Sequence, residues 1–205
     1  MYGSSFDSPD WIFETKLDGY RAMAIIDSTG KARLWSRNHL PLEPKFPTIQ
    51  DAVSQLKLRS TILDGEIVAL DKDGVPRFQL LQQWQKRPSA PVVLYLFDLL
   101  WSDRRDITGK TVLQRRDRLE QIINPVPGIQ VGSYVENRGI DLYRLAKEKG
   151  LEGIIAERKP GRHFPSFPVN RPITSDLSGP PVASGFLVRR SFSRIFFLTE
   201  IAQSR

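Results

Sequence analysis

Residues 14–21 have the sequence Glu-Thr-Lys-Leu-Asp-Gly-Tyr-Arg and join two apolar segments near the start of the chain. The flanking segments, around 11–15 and 20–27, have the composition and spacing typical of β-strands, so Lys16 is predicted to lie where one strand gives way to the next. A lysine in that position is a candidate nucleophile for a nucleotide phosphate. Gly19 is expected to let the backbone turn tightly and approach a ligand.

A nucleophilic lysine needs particular surroundings. A free lysine has a pKa of about 10.4, so burial, a neighbouring cation or a bound metal ion must disfavour the ammonium form. Arg21 is such a cation, and its guanidinium is also suited to holding phosphates. The alternative is an ordinary solvated lysine, because Lys, Asp and Gly are common in surface turns.

The rest of the chain alternates strand-like and helix-like segments. Further strands are predicted at 32–36, 62–70, 92–100, 129–135 and 152–157, and helices are predicted after Pro44–Pro47, at 80–85, from a capping box of Thr111 and Gln114, and through 142–146 to Gly150. This mixture indicates the α+β class rather than a doubly wound parallel sheet. The sequence has no Walker loop and no GxGxxG motif. A nucleotide would therefore have to be bound by side chains in a cleft between sheets.

The composition is that of a basic, cysteine-free protein. The 205 residues are 40% hydrophobic and carry a formal charge of +7, which suits a polyanionic partner such as nucleic acid. The absence of cysteine excludes disulfides and thiolate metal sites. The sequence shows no signal-like N-terminus and no apolar run of about 20 residues, so a cytoplasmic protein without a membrane partner is expected. A monomer that associates with the nucleoid is a further expectation.

Three further motifs follow in order: Leu63-Asp64-Gly65-Glu66-Ile67-Val68, Tyr95-Leu96-Phe97-Asp98-Leu99-Leu100 and Leu151-Glu152-Gly153-Ile154-Ile155-Ala156. Together with residues 14–21, this ordered set resembles the nucleotidyltransferase motifs of ATP-dependent DNA ligases. From about Phe6 to Lys159, the sequence is most similar to the ligase domain of bacterial end-joining ligases. The resemblance implies a nucleotidyltransferase (ATP-grasp-like) fold of antiparallel and mixed sheets with flanking helices, with the nucleotide in the cleft between them.

The resemblance assigns roles to the first motifs. Lys16 would become covalently linked to AMP, Glu14 would lie beside the adenine, and Asp18 would be a further nucleotide contact. Arg21 would contact the ribose or phosphates, as would Arg37 in the motif Ser36-Arg37-Asn38. His39 stands where the family usually has a glycine, so the resemblance does not predict the backbone geometry of that loop.

The later motifs imply three more site residues. Glu66 would accept hydrogen bonds from the ribose hydroxyls, although Asp64-Gly65 is also typical of a hairpin turn. Phe97 would stack on adenine, with a place in the core as the alternative. Glu152 would hold Mg²⁺ or Mn²⁺ against the phosphates, the alternative being a solvated glutamate.

The sequence departs from the family after Lys159. The family has a tryptophan followed by two lysines spaced by one residue, which bind the α-phosphate, and then an oligonucleotide-binding barrel. Neither is recognisable in residues 160–205. We expect residues 1–159 to form the adenylation domain, and the atypical tail 160–205 to be disordered or the product of a frameshift, in a truncated chain.

The implied activity is that of an ATP-dependent DNA ligase, acting through a lysyl-AMP intermediate in DNA repair, recombination or replication. The implied partners are ATP, nicked or broken duplex DNA and end-joining repair proteins. Two alternatives remain open: an RNA ligase or capping-type nucleotidyltransferase of the same fold, and a degenerate nucleotide- or DNA-binding module without turnover.

Overall fold

The computed structural model describes residues 5–84, 86, 88–162 and 194–197. In chain order, the elements of these residues are β1 (Trp11–Lys16), β2 (Tyr20–Ile26), β3 (Ala32–Ser36), α1 (Pro47–Gln55), β4 (Thr61–Ala69), α2 (Phe78–Trp84), β5 (Val92–Ser102), β6 (Arg105–Asp106), α3 (Val112–Ile122), β7 (Ile129–Val131), β8 (Val135–Glu136), α4 (Gly139–Glu148), β9 (Gly153–Arg158) and β10 (Arg194–Phe197). The predicted α+β class is confirmed.

The strands form two sheets. The smaller sheet has the order β10-β9-β1-β8, and the larger has the order β3-β2-β4-β5-β6, with β7 paired to β5. The β5–β7 pair is parallel and the other pairs between these strands are antiparallel. The chain passes directly from the smaller sheet to the larger between β1 and β2, so residues 17–19 link the two.

Gly19 lies in that link and approaches the backbone of the larger sheet. A Cβ at this position would overlap the carbonyl oxygen of Ile67 and crowd the side chain of Val68, both on β4. Gly19 is not among the residues with positive φ. The glycine is therefore needed because two strands come close together, and not for the tight turn that the sequence suggested.

The main core lies between the larger sheet and helices α1 and α2. It includes one face of β2, with Ala22, Ala24 and Ile26, packed with Ile49 of α1 and Leu81 of α2. A separate small core joins the smaller sheet to α4 through Phe13, Ala146, Ile154 and Ala156. Each sheet thus has its own apolar support, and residues 17–19 connect the two sheets.

Most predicted elements agree with the structure, including the capping box, in which Thr111 and Gln114 bond reciprocally at the start of α3. The predicted strand 129–135 is wrong as one unit. Its first part is β7 in the larger sheet and its last part is β8 in the smaller sheet, and residues 132–134 cross between them. The crossing begins at Gly132, whose N–H donates to the carbonyl of Leu96 at 2.8 Å.

The atypical tail lies mostly outside the described residues, so its expected disorder stays a prediction. Residues 194–197 are described, and they form β10, antiparallel to β9. None of the helices in the described ranges combines the length and apolarity needed to cross a membrane.

Candidate active site

Lys16 ends β1, in the smaller sheet, and its Cα pairs with that of Gly153 on β9. This register brings the lysine beside Glu152, the residue just before β9, and the Lys16 Nζ forms an ion pair with the Glu152 carboxylate. Both side chains are partly buried, at 19% and 31% exposure. The predicted nucleophile and the predicted metal ligand are therefore in direct contact.

Two more carboxylates, those of Asp18 and Glu66, interact electrostatically with Lys16. Burial, followed by the neighbouring Glu152 carboxylate, raises the pKa of Asp18, while Lys16 lowers it. Burial raises the pKa of Glu66 to about 7, although Arg21 and Lys16 act in the opposite direction. Burial thus raises the pKa of the carboxyl groups around Lys16, and a nearby cation opposes this rise. Such shifted pKa values are common at functional sites.

Arg21, on β2, contacts residues of the next two strands of the larger sheet, β4 and β5. Its guanidinium donates two hydrogen bonds of 2.7 Å to the buried carboxylate of Asp64, and it lies over the ring of Phe97, 4.3 Å from the centroid. Asp64 lies inside β4, so the hairpin-turn alternative for Asp64-Gly65 is wrong. The Arg21 side chain is still 41% exposed, which leaves its charge accessible to a ligand.

Phe97 lies on a β-bulge. The register of β4 with β5 passes from Asp64–Asp98 to Gly65–Leu96, so Phe97 has no Cα partner on β4. A bulge turns a side chain out of the regular alternation, and bulges are frequent beside active sites. Phe97 is partly buried and is not a member of the core clusters, which weakens the alternative of a simple core residue.

Glu14 lies two residues before the lysine and faces Arg116 of α3. The two side chains form a buried ion pair across 102 residues of sequence. Burial raises the pKa of Glu14 to about 7, and Glu157 adds to the rise while Arg116 opposes it. The residue expected beside the adenine is therefore held by a partner that the sequence analysis did not identify.

Arg37 is not brought into this group by the described contacts. It lies in an exposed turn after β3, and the neighbouring His39 has φ 59°, in the left-handed region. The position therefore has the backbone geometry that favours glycine, which agrees with the family's usual residue there.

The residues missed by sequence reasoning are the arginines of α3. Arg116 shares the helical spacing of Val112 and Leu119, which are buried core-facing residues. Arg115 is also buried and donates to both oxygens of Asp98, at 2.7 and 3.0 Å. A charged residue within an apolar helical stripe is a sign of a buried partner, and this signal was present in the sequence.

The sequence and the fold are similar to those of known proteins. Residues 4–166 match the family described as ATP dependent DNA ligase domain. The multifunctional non-homologous end joining protein LigD of Pseudomonas aeruginosa is 35% identical over 152 residues, which are 73% of this chain and 18% of that protein. The chain belongs to the ATP-dependent DNA ligase domain family, and several of its curated relatives are named as multifunctional non-homologous end joining proteins.

Solved structures agree in fold. The ligase domain of Mycobacterium tuberculosis LigD superposes with a TM-score of 0.70 at 30% identity, covering 80% of this chain and 53% of that one. A mycobacterial DNA ligase D complexed with ATP and MES gives 0.68 at 29% identity, covering 80% of this chain and 54% of that one. The predicted nucleotidyltransferase fold is confirmed. The chain spans about a fifth of the full LigD relatives and about half of the solved ligase domains.

Proposed function

We propose that residues 1–159 are the adenylation domain of a DNA ligase and that Lys16 accepts AMP from ATP. The observation that carries this proposal is that residues of three separate motifs meet in the structure: Lys16 contacts Glu152, and Arg21, from the same motif as Lys16, contacts Phe97. Membership of the ligase family and the ATP-bound relative support the choice of nucleotide.

In the proposed reaction, the neutral Nζ of Lys16 attacks the α-phosphorus of ATP. A phosphorus–nitrogen bond forms, the bond from the α-phosphorus to the bridging oxygen breaks, and pyrophosphate leaves. The Nζ of Lys16 is ion-paired with Glu152, so the lysine must lose both this partner and a proton before it attacks. Arg21 would hold the ribose or phosphates, and Glu66 the ribose hydroxyls.

A divalent cation fits this cleft, with Glu152 as its protein ligand. No group of three or more metal-ligating side chains occurs among the residues that the structure describes. Mg²⁺ is commonly bound through one or two carboxylates, substrate phosphates and water, so the proposed site needs only the Glu152 carboxylate from the protein. When bound, such an ion would neutralise charge on the α-phosphate and the pyrophosphate.

We further propose that the AMP is destined for the 5′-phosphate of nicked or broken duplex DNA in end-joining repair. The net charge of +7 suits this partner, and the related proteins are named for non-homologous end joining. A DNA substrate would place the protein in the cytoplasm, at the nucleoid. We treat residues 160–205 as a separate, atypical tail.

A second candidate is a nucleotide- or DNA-binding module without turnover. It is favoured by one observation, the absence of any lysine after Lys159, where the family's α-phosphate lysines are expected. The retained Lys16–Glu152 contact favours the enzyme.

One experiment separates the two candidates. The purified chain is incubated with ATP and Mg²⁺ and its intact mass is measured. The enzyme would gain one AMP, located on Lys16 by peptide mapping, whereas the binding module would gain none. AMP on a different lysine would contradict the assignment of Lys16.

A further inference from the structure

Arg116 is almost completely buried, with 2% of its side chain exposed, although it has no place in the chemistry described above. Burying a guanidinium is costly unless it is paired, so such a residue needs specific partners. Its partners are Glu14 of the smaller sheet and the carbonyl of Gly132, which accepts a hydrogen bond at 3.3 Å. Arg116 therefore connects β1 of the smaller sheet with the segment that follows β7 of the larger sheet.

Both partners border the proposed base pocket. Glu14 is two residues from Lys16 on β1. The N–H of Gly132 donates a hydrogen bond to the carbonyl of Leu96, the residue before Phe97. A Cβ placed on Gly132 would lie 3.7 Å from the Cβ of Phe97. One guanidinium thus holds both the Glu14 carboxylate and the backbone segment that lies beside the ring of Phe97.

The chemistry of adenine suggests what the Glu14 carboxylate does there. Once N9 is bonded to ribose, the 6-amino group supplies adenine's N–H donors, and its ring nitrogens are acceptors. An ionised carboxylate only accepts hydrogen bonds, so the 6-amino group is its natural partner on the base. A carboxylate left buried without a cation would tend to take up a proton or turn away.

We propose that Arg116 is a positioning residue for base recognition, which holds Glu14 as an acceptor for the adenine 6-amino group and fixes the Gly132 segment against Phe97. This inference rests on the proposed function, because it places adenine in the cleft. The Nε–H of Arg116 is buried and has no hydrogen-bond partner in the described part of the chain. A bound acceptor would satisfy this donor.

The test compares ATP with purine riboside triphosphate, which lacks only the 6-amino group. Affinities are measured by calorimetry in a Lys16→Arg background, so that no covalent product forms. With Arg116 intact, we expect ATP to bind roughly 10- to 100-fold more tightly than the analogue, the range for a hydrogen bond to a charged group. Arg116→Met should reduce this preference to near unity, and Arg116→Lys should leave an intermediate value.

Arg115→Met is the matched control. It breaks a buried ion pair on the same helix, with Asp98, but does not touch Glu14. We expect this variant to melt at a lower temperature and to keep the preference for ATP. A purely structural role of Arg116 would weaken both nucleotides equally, and that result in a folded Arg116→Met protein would overturn the inference.

The remaining outcomes are also decisive. If Arg116→Met does not fold, an undiminished preference in the charge-retaining Arg116→Lys variant overturns the inference. Equal affinities for ATP and the analogue with Arg116 intact would overturn it too. Binding is measured in the Lys16→Arg background and the adduct in the parent protein, so the two results are independent. An AMP adduct on Lys16 without a preference for ATP over the analogue rejects only this inference. A base preference without any adduct rejects only the proposed enzyme.

Discussion

The Nζ of Lys16 and the carboxylate of Glu152 form an ion pair at the point where β1 leaves the smaller sheet. Although the two residues are far apart in sequence, the β1–β9 register brings them together by pairing Lys16 with Gly153. The contact joins the group that would attack ATP to the group that would hold the cation. The properties of the pair can be separated by substitution.

Lys16→Arg should abolish the AMP adduct while keeping the ion pair. Arginine retains the positive charge, but it does not lose its proton in proteins and so cannot attack phosphorus. Intact mass after incubation with ATP and Mg²⁺ measures the result. Lys31→Arg, an exposed position, is the control and should form the adduct normally. An adduct on the Lys16→Arg protein would show that another residue is the nucleophile.

Glu152→Gln should slow adduct formation about 10²-fold or more and change nucleotide affinity little. The carboxamide keeps the shape of the side chain but is a poor ligand for a hard cation, which would otherwise stabilise charge in the transition state. The measurement is the adduct rate across a Mg²⁺ titration, with ATP affinity measured separately. Glu148→Gln, at an exposed position on α4, is the control. Equal rates at saturating Mg²⁺ would argue against a metal role for Glu152.

Phe97→Ala should weaken ATP binding by about 1–3 kcal/mol, the range measured for bases stacked on aromatic side chains. The guanidinium of Arg21 covers one face of the ring, so the base would use the other face or displace Arg21. Phe97→Tyr, which keeps the ring, should bind nearly as well as the parent. Phe78→Ala removes a half-buried ring outside the site and controls for lost stability. Unchanged affinity in folded Phe97→Ala would return Phe97 to a packing role.

Glu66→Gln should stabilise the metal-free protein at about pH 8 and have little effect at about pH 4.5. Burial raises the pKa of Glu66 from 4.5 to about 7, so the folded state keeps a proton that the unfolded state has lost. Stability therefore falls as the pH rises from about 4.5 to about 7, and the neutral amide avoids that loss. The gain should be about 1–3 kcal/mol, since one pKa unit corresponds to about 1.4 kcal/mol.

Urea unfolding at both pH values measures this difference. Glu120→Gln, on an exposed part of α3, is the matched control. If Glu66→Gln lowers stability at about pH 8, the cost of burying the ionised carboxylate is smaller than the value of its contacts with neighbouring cations.

The sequence was sufficient for the local structure of the site. Short-range patterns of apolar, capping and turn residues predict three of its features. These are the position of Lys16 at a strand end, the Thr111–Gln114 capping box, and the strands that carry Glu66 and Phe97. Such patterns act within a few residues, so they can be recognised without knowing which strands pair. The order of the motifs then indicated the family.

Long-range pairing accounts for what the sequence did not show. The bulge at Phe97 exists only in the register between β4 and β5, and the strand predicted at 129–135 divides because its two ends join different sheets. The Glu14–Arg116 contact depends on how α3 packs against β5 and reaches β1. The helical spacing signals only that Arg116 has a buried partner; which residue that partner is, and which strands pair in which register, is set by the packed fold.

Nick sealing makes demands beyond a nucleophilic lysine, and this 205-residue polypeptide alone is not expected to meet them. No lysine follows Lys159, so the two α-phosphate lysines implied by the family are missing from its sequence. Removing one preorganised charge-stabilising group typically costs about 10² to 10³ in rate, and two should bring sealing below detection. The polypeptide also spans only 53% of the solved mycobacterial ligase domain.

The measurement is ligation of a nicked duplex in the presence of ATP and Mg²⁺. The comparison protein is a chimera in which the residues after Lys159 are replaced by a family tail that carries the lysine motif and the barrel. We expect the chimera to seal the nick and the native polypeptide to bind the duplex weakly. The weak binding should fall steeply with salt, because the net charge of +7 would act through phosphate contacts that release counterions. Sealing by the native polypeptide at the chimera's rate would show that residues 160–205 supply the missing cations by other means, since this tail still contains arginines.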